Sequence, residues 1–107
     1  MQTENDIFDT ARKFIACLFK RPRELEKIGK ELGRLMPAQM PGMLGEILQA
    51  MLDLESASVD VSFDSVKEKL ATTGALSLLG EPLLRQLAEM DVDISKAAEY
   101  ERQLIAG

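Results

Sequence analysis

Apolar residues recur every three or four positions along most of this chain, and Pro or Gly interrupts the pattern at short intervals. This spacing places apolar side chains on one face of a helix, because a helix has 3.6 residues per turn. A half-buried strand would alternate apolar and polar residues, and no segment does so over the length of a strand. The sequence therefore predicts an all-α fold, a compact bundle of about six short helices.

Residues that start or stop a helix set the predicted boundaries. Ser62 can cap the helix that follows it, and Gly74 lies just past the end of that helix. Pro82 suits a first helical turn, where its missing N–H is not needed, and Asp93 or Ser95 can cap the last helix. The predicted helices cover residues 5–20, 23–35, 43–55, 63–72, 82–90 and 95–105.

The chain of 107 residues suits a single domain, because two separate cores would each be too small to be stable. We therefore treat residues 1–107 as one helical domain. Its centre is predicted to be the helix over residues 43–55. The apolar residues of that helix cover about half of its circumference, which is wider than the usual stripe of ~100°.

The residue types exclude several kinds of functional site. The chain has no His and one Cys, so it cannot build a zinc site from these residues, form an internal disulfide or use His in catalysis. Neither a P-loop nor a dinucleotide-binding glycine motif occurs. Cys17 falls beside the apolar stripe of the first helix and is expected to be a small residue at its edge. We predict a non-catalytic chain with no metal and no cofactor.

The hydropathy pattern predicts no contact with a membrane. No apolar stretch approaches the ~20 residues that a membrane-spanning helix requires. Residues 1–6 are polar and acidic, whereas a signal peptide begins with basic residues and continues with apolar ones. We expect a cytoplasmic protein.

Charge is distributed unevenly along the chain, although the net charge is −5. Residues 12–34 hold eight basic and three acidic residues, and residues 46–102 hold twelve acidic and five basic ones. Two interpretations remain open. The charges are exposed to solvent on the faces of helices, or they make a dipolar domain whose basic end attracts a partner. The net charge predicts weak or absent direct binding of nucleic acid. A nucleic-acid-binding module that uses residues 12–34, with Arg21 and Arg23, is the less favoured alternative.

The last predicted helix contains an acidic residue in the middle of its apolar side. Glu101 projects into the side that carries Tyr100, Leu104 and Ile105. An unpaired carboxylate in a core would be costly. Either the helix frays near the terminus, or it packs against another copy or a partner that supplies a cation for Glu101.

Methionine is concentrated around a segment rich in helix breakers. Met36 and Met40 lie in or beside this segment, and Met can fill an irregular core or form an adaptable binding surface. The candidate partner-binding residues are therefore Tyr100, Glu101, Leu104, Ile105, Met36, Met40, Arg21 and Arg23.

The second half of the chain resembles the N-terminal domain of DnaB-type replicative helicases. Residues 59–70, VDVSFDSVKEKL, are similar to the family pattern "vDlvtv…eeL", and residues 93–100, DISKAAEY, are similar to "aNIe.Ya..v". The segment Thr73-Gly74-Ala75-Leu76 looks like "r-G-x-L". The chain departs from the family at residues 40–43, MPGM, where an aromatic residue and a His or Arg are usual. It also has Gly80-Glu81 in place of a paired Gly.

The C-terminal domain of bacterial primase is a close competitor for this resemblance. Residues 21–25, RPREL, look like its "-n-P-e-l-" pattern, and Pro41-Gly42 is similar to a Pro-Gly before its next helix. Both families imply an all-α, non-catalytic bundle at the junction of helicase and primase. The helicase resemblance implies dimerisation through the last helices and docking of primase. The alternatives are a primase-type helicase-binding domain, or a stand-alone phage or plasmid protein that recruits or inhibits the helicase.

Overall fold

A computed structural model of the chain describes residues 4–21, 40 and 42–106, with side chains described between residues 7 and 104. These residues form six α-helices and no strand, so the predicted all-α bundle is confirmed. The helices are α1 (Glu4–Lys20), α2 (Leu44–Ser56), α3 (Phe63–Thr73), α4 (Ala75–Leu79), α5 (Glu81–Glu89) and α6 (Ala97–Ala106), and a 3₁₀ turn, Ile94–Lys96, precedes α6.

Five of the six predicted helices match observed ones to within two residues at each end. The predicted helix over residues 23–35 lies outside the described residues. Helix α4 was not predicted, because its five residues are too few to show a helical period.

The ends of α3 have the predicted capping residues. Ser62 accepts a hydrogen bond from the backbone N–H of Ser65, and the Ser65 hydroxyl accepts one from the backbone N–H of Ser62. This reciprocal capping box satisfies donors that a helix start leaves unpaired. Gly74 ends the helix at φ +84°, a left-handed conformation that glycine adopts without steric penalty.

The approach to α6 is fixed by Asp93, one of the two predicted caps. The Asp93 carboxylate accepts hydrogen bonds from the Ser95 hydroxyl at 2.6 Å and from the Ser95 backbone N–H at 3.0 Å. These two bonds stabilise the ionised form, so the pKa of Asp93 lies below its ordinary value.

Helix α1 is the centre of the described bundle, where residues 43–55 had been expected. It packs against α2, α5 and α6. Its residues 14–18 are all buried, and five consecutive positions cover the whole circumference of a helix. Helix α2 buries one broad face but leaves Glu46, Gln49 and Asp53 exposed, so its wide apolar stripe does not make it the innermost helix.

Cys17 differs from its predicted place at the edge of the first helix. The side chain is fully buried, and its thiol donates to the backbone carbonyl of Asp93 at 3.8 Å. The apolar pattern of α1 alone predicts less burial for Cys17, because that pattern does not show that other elements also cover the side of α1 that carries Cys17.

Helix α3 forms the other half of the core together with α2, α4 and α5. Val66 and Leu70 are buried beneath it. On the outer side of α3, Lys67 pairs with Glu81 of α5, and this ion pair lowers the pKa of Glu81. The guanidinium of Arg85 lies over the ring of Phe63, 4.9 Å from the ring centroid. These outer contacts are exposed to solvent, so the apolar contacts contribute most of the packing energy.

We predict that Phe14→Ala lowers the free energy of unfolding by about 3–5 kcal/mol, since it leaves a cavity in the core beside the middle of α1. Leu78→Ala is the control, because Leu78 is largely exposed and its truncation creates no cavity. Denaturant unfolding followed by circular dichroism measures both. Similar losses for the two variants would contradict the central position of α1.

We also predict a pH-dependent contribution from Asp93. A carboxylate with a lowered pKa stabilises the fold above its ordinary value of 3.8 and loses this contribution as the pH falls through the folded pKa. Asp93→Asn should therefore lower the melting temperature at neutral pH, and the difference from wild type should disappear in acid. A difference that does not change with pH would show that the charge of Asp93 contributes nothing.

Candidate docking surface

An apolar groove opens where α1, α2, α4 and α5 meet. Its volume is about 320 Å³. Among the described side chains that line it, all are apolar except that of Arg12. The lining residues are Phe8, Arg12, Met43, Leu44, Leu78, Leu79 and Leu83. A concave apolar surface with one polar group is suited to binding apolar side chains in a set orientation.

Leu78 is the lining residue that most distinguishes this groove. Its side chain is 77% exposed, the larger value of the two exposed large hydrophobic residues in the described part of the chain. The other is Val59, at 46%. Burying a leucine that solvent surrounds is worth about 1.5–3 kcal/mol, so contact of Leu78 with a partner would be favourable.

The position of Leu78 follows from the short helix that carries it. Helix α4 lies between Gly74 and Gly80, which have φ values of +84° and +92°. The helix buries Ala75 and half-buries Leu76 and Leu79 against the core. The core covers one side of α4, and Leu78 lies on the other side with the exposed Ser77, so its side chain faces solvent.

Gly42 holds one wall of the groove. Its φ is +56°, and a Cβ built on it would lie 3.2 Å from two carbon atoms of the Phe8 ring. That distance is shorter than an ordinary contact, so the Phe8 ring packs directly on the backbone. Glycine at this position therefore sets where Phe8 lies.

Arg12 supplies the charge on the groove lining. Its side chain is 44% exposed, and its nearest Nη lies 3.9 Å from Asp9, beyond hydrogen-bond distance. Lys13 makes the closer pair with Asp9, at 2.9 Å, and this contact raises the pKa of Lys13. Since Asp9 is held mainly by Lys13, the guanidinium of Arg12 can donate to a carboxylate in the groove.

Two residues predicted to bind a partner are instead in the core of this chain. Glu101 and Leu104 are only 4% and 3% exposed. The reason is that α6 packs along α1, so that the apolar face of the last helix is covered within the chain. That these two residues bind a partner stays a prediction, and such binding would require the contact between α6 and α1 to open.

The remaining predicted residues are distributed over different parts of the chain. Met40 is buried in the core, Tyr100 is half-buried against it, and Arg21 is exposed just after α1. Met36 and Arg23 lie outside the described residues, as does the side chain of Ile105. Within the described part of the chain, the members of the predicted set therefore do not share one exposed surface.

The groove residues were missed at the sequence level, although a signal was present. Within Ala75–Leu79 every residue except Ser77 is apolar, which is more apolar surface than one face of a short helix can bury. Phe8 and Leu83 belong to different helices, and only the fold brings them beside Leu78.

A second, smaller groove of about 240 Å³ lies between α2 and α3. It is lined by Leu54, Val59, Ser65, Glu68, Lys69 and Thr72. Because most of its lining is polar, it offers less apolar contact than the groove at Leu78.

Neither a metal centre nor a membrane span is found in the described part of the chain. No three His, Cys, Asp or Glu side chains there lie close enough together to hold a metal ion. None of the helices described has both the length and the apolar character that crossing a bilayer requires.

We predict that Gly42→Ala lowers the free energy of unfolding and displaces the Phe8 ring. The positive φ alone costs an alanine about 1–2 kcal/mol, and the contact with Phe8 adds to it. The matched control is Gly74→Ala, which has the strain of a positive φ but no neighbouring atom within 4 Å. Denaturant unfolding and the aromatic NMR signals of Phe8 distinguish them. Equal losses with an unchanged Phe8 signal would show that the groove wall does not depend on Gly42.

No family model, curated protein or solved structure matches this chain. The chemistry of the groove, taken together with the sequence pattern, is therefore the basis for assigning a function.

Proposed function

We propose that this chain is a non-catalytic protein-interaction module that docks a partner in the apolar groove at Leu78. The observation that carries the proposal is the side chain of Leu78, which is 77% exposed and lines a concave surface together with Arg12 and five other apolar residues of the described chain. Exposed apolar residues beside a groove are typical of surfaces that bind another protein. The proposal requires no metal and no cofactor.

We further propose that the partner belongs to the helicase–primase assembly of DNA replication, and that the chain acts in the cytoplasm. Support comes from the segments that resemble the helicase N-terminal domain. Of the apolar positions within residues 59–70, Val61, Val66 and Leu70 are buried, Phe63 is partly buried and Val59 is exposed. Because the buried positions determine packing, the resemblance favours a similar bundle, and the choice of partner has to come from the surface.

The burial of Glu101 and Leu104 changes the form of this proposal. A dimer formed through these residues would have to open the contact between α6 and α1. Docking through the groove requires no such opening. We therefore assign the partner contact to the groove, for either a helicase-type or a primase-type role.

The test is direct binding to purified DnaB-type helicases and bacterial primases, measured by fluorescence anisotropy of the labelled chain. We expect a complex with one of them, and Leu78→Asp should weaken it at least about tenfold, or ~1.4 kcal/mol. Val59→Asp is the matched control, since it places the same charge on the other exposed hydrophobic residue, outside the groove. Circular dichroism checks that both variants are folded.

Two results would contradict the proposal. Absence of binding to every helicase and primase tested would contradict the replication role. Equal weakening by Leu78→Asp and Val59→Asp would contradict docking in the groove. If binding occurs, titration with a helicase that lacks its own N-terminal domain distinguishes a helicase-type role from a primase-type role. A chain that mimics that domain should still bind, whereas a primase-like chain should not.

A further inference from the structure

We infer that the groove selects an amphipathic helix that carries a carboxylate beside its apolar anchors, and that Arg12 recognises this carboxylate. The inference rests on the proposed docking function and names the chemistry of the occupant. Six apolar lining residues around one arginine are complementary to such a helix.

The charge of Arg12 is the first reason. A guanidinium on an apolar wall is poorly satisfied by a purely apolar occupant, which would remove water from it and return no hydrogen bond. Its nearest carboxylate, Asp9, is 3.9 Å away and pairs more closely with Lys13. A carboxylate on the occupant would accept a charge-assisted hydrogen bond from Arg12, which is among the stronger polar contacts in proteins.

The size of the groove is the second reason. Seven residues of the described chain line it, whereas a stable interface between globular proteins uses roughly 20–30 residues on each side. A volume of about 320 Å³ holds a few side chains of one short segment. The described residues offer no strand edge, so an occupant cannot bind there by adding a strand, and apolar anchors on one helical face fit instead.

The net charge of the chain limits how acidic the occupant can be. At −5, the whole chain repels a strongly acidic segment over distances comparable with the Debye length of about 8–10 Å. Among the described residues that line the groove, Arg12 is the one that attracts a carboxylate by direct contact. The groove should therefore prefer one well-placed carboxylate beside apolar anchors over a run of acidic residues.

The experiment uses three labelled helical peptides with identical leucine anchors at i, i+3 and i+7. They differ at one flanking position, which is Glu, Gln or Lys. We expect the Glu peptide to bind about three- to tenfold more tightly than the Gln peptide, and the Lys peptide to bind most weakly. Arg12→Gln should abolish this preference, and Arg12→Glu should reverse it in favour of Lys.

Two further variants distinguish recognition by Arg12 from a general effect of charge. Arg102→Glu reverses an exposed arginine on α6 that does not line the groove, so the preference for Glu should be retained. Leu78→Asp should abolish binding of all three peptides.

The outcomes separate this inference from the proposed function. Equal binding of the three peptides, lost in Leu78→Asp, would overturn the role of Arg12 and leave the groove as a docking site. No binding of any peptide would overturn the helical occupant, while the helicase and primase titration still decides the function. A wild-type dimer in sedimentation that becomes monomeric in Leu78→Asp would identify a second copy as the occupant and overturn the inference.

Discussion

The fold depends on the burial of one segment of α1 from every side. Residues 14–18 contain the large side chains Phe14, Ile15 and Leu18, all at or below 2% exposure, together with the small Ala16 and Cys17. Large side chains fill one side of the helix, and small ones let neighbouring elements approach the other. Because α2, α5 and α6 all pack on α1, its position fixes theirs. Phe8 and Arg12 lie further towards the start of the same helix, so the buried segment of α1 also fixes the position of this wall of the groove.

The groove exists because α4 is too short to complete the apolar surface around it. Gly74 and Gly80 confine the helix to five residues between two backbone positions with positive φ. The chain turns sharply at both ends, and Leu78 is left facing solvent. Gly74 also ends α3, so the residue that begins the short helix carrying Leu78 also stabilises the end of α3.

Sequence periodicity and capping rules were sufficient to predict the described helices that reach at least two turns. Ser62, Gly74 and Pro82 lie at helix ends as predicted, because capping chemistry acts within a few residues of its position. Asp93, predicted as a possible cap of the last helix, caps the 3₁₀ turn that precedes it. Tertiary placement was harder to predict. The last helix and α1 each look amphipathic, but the pattern does not say which apolar faces cover each other. For that reason Glu101 was assigned to an interface while it lies in the core, and Cys17 to an edge while it is fully buried.

The groove could not be predicted for a related reason. Its lining comes from four separate helices or their ends, and none of these residues forms a local motif. Only the excess of leucine in Ala75–Leu79 pointed to an apolar surface that the core could not absorb. A site of this kind becomes visible when the fold shows which apolar side chains remain uncovered.

Native-state hydrogen exchange tests most directly the claim that α1 is the fixed centre and α4 the loosely held edge. The backbone amides of residues 14–18 should exchange only through global unfolding, with the free energy that denaturant unfolding gives. The amide of Gly80, which donates to the carbonyl of Leu76, should exchange through local opening at a lower free energy. Exchange of residues 14–18 at the same or lower free energy than Gly80 would contradict the account.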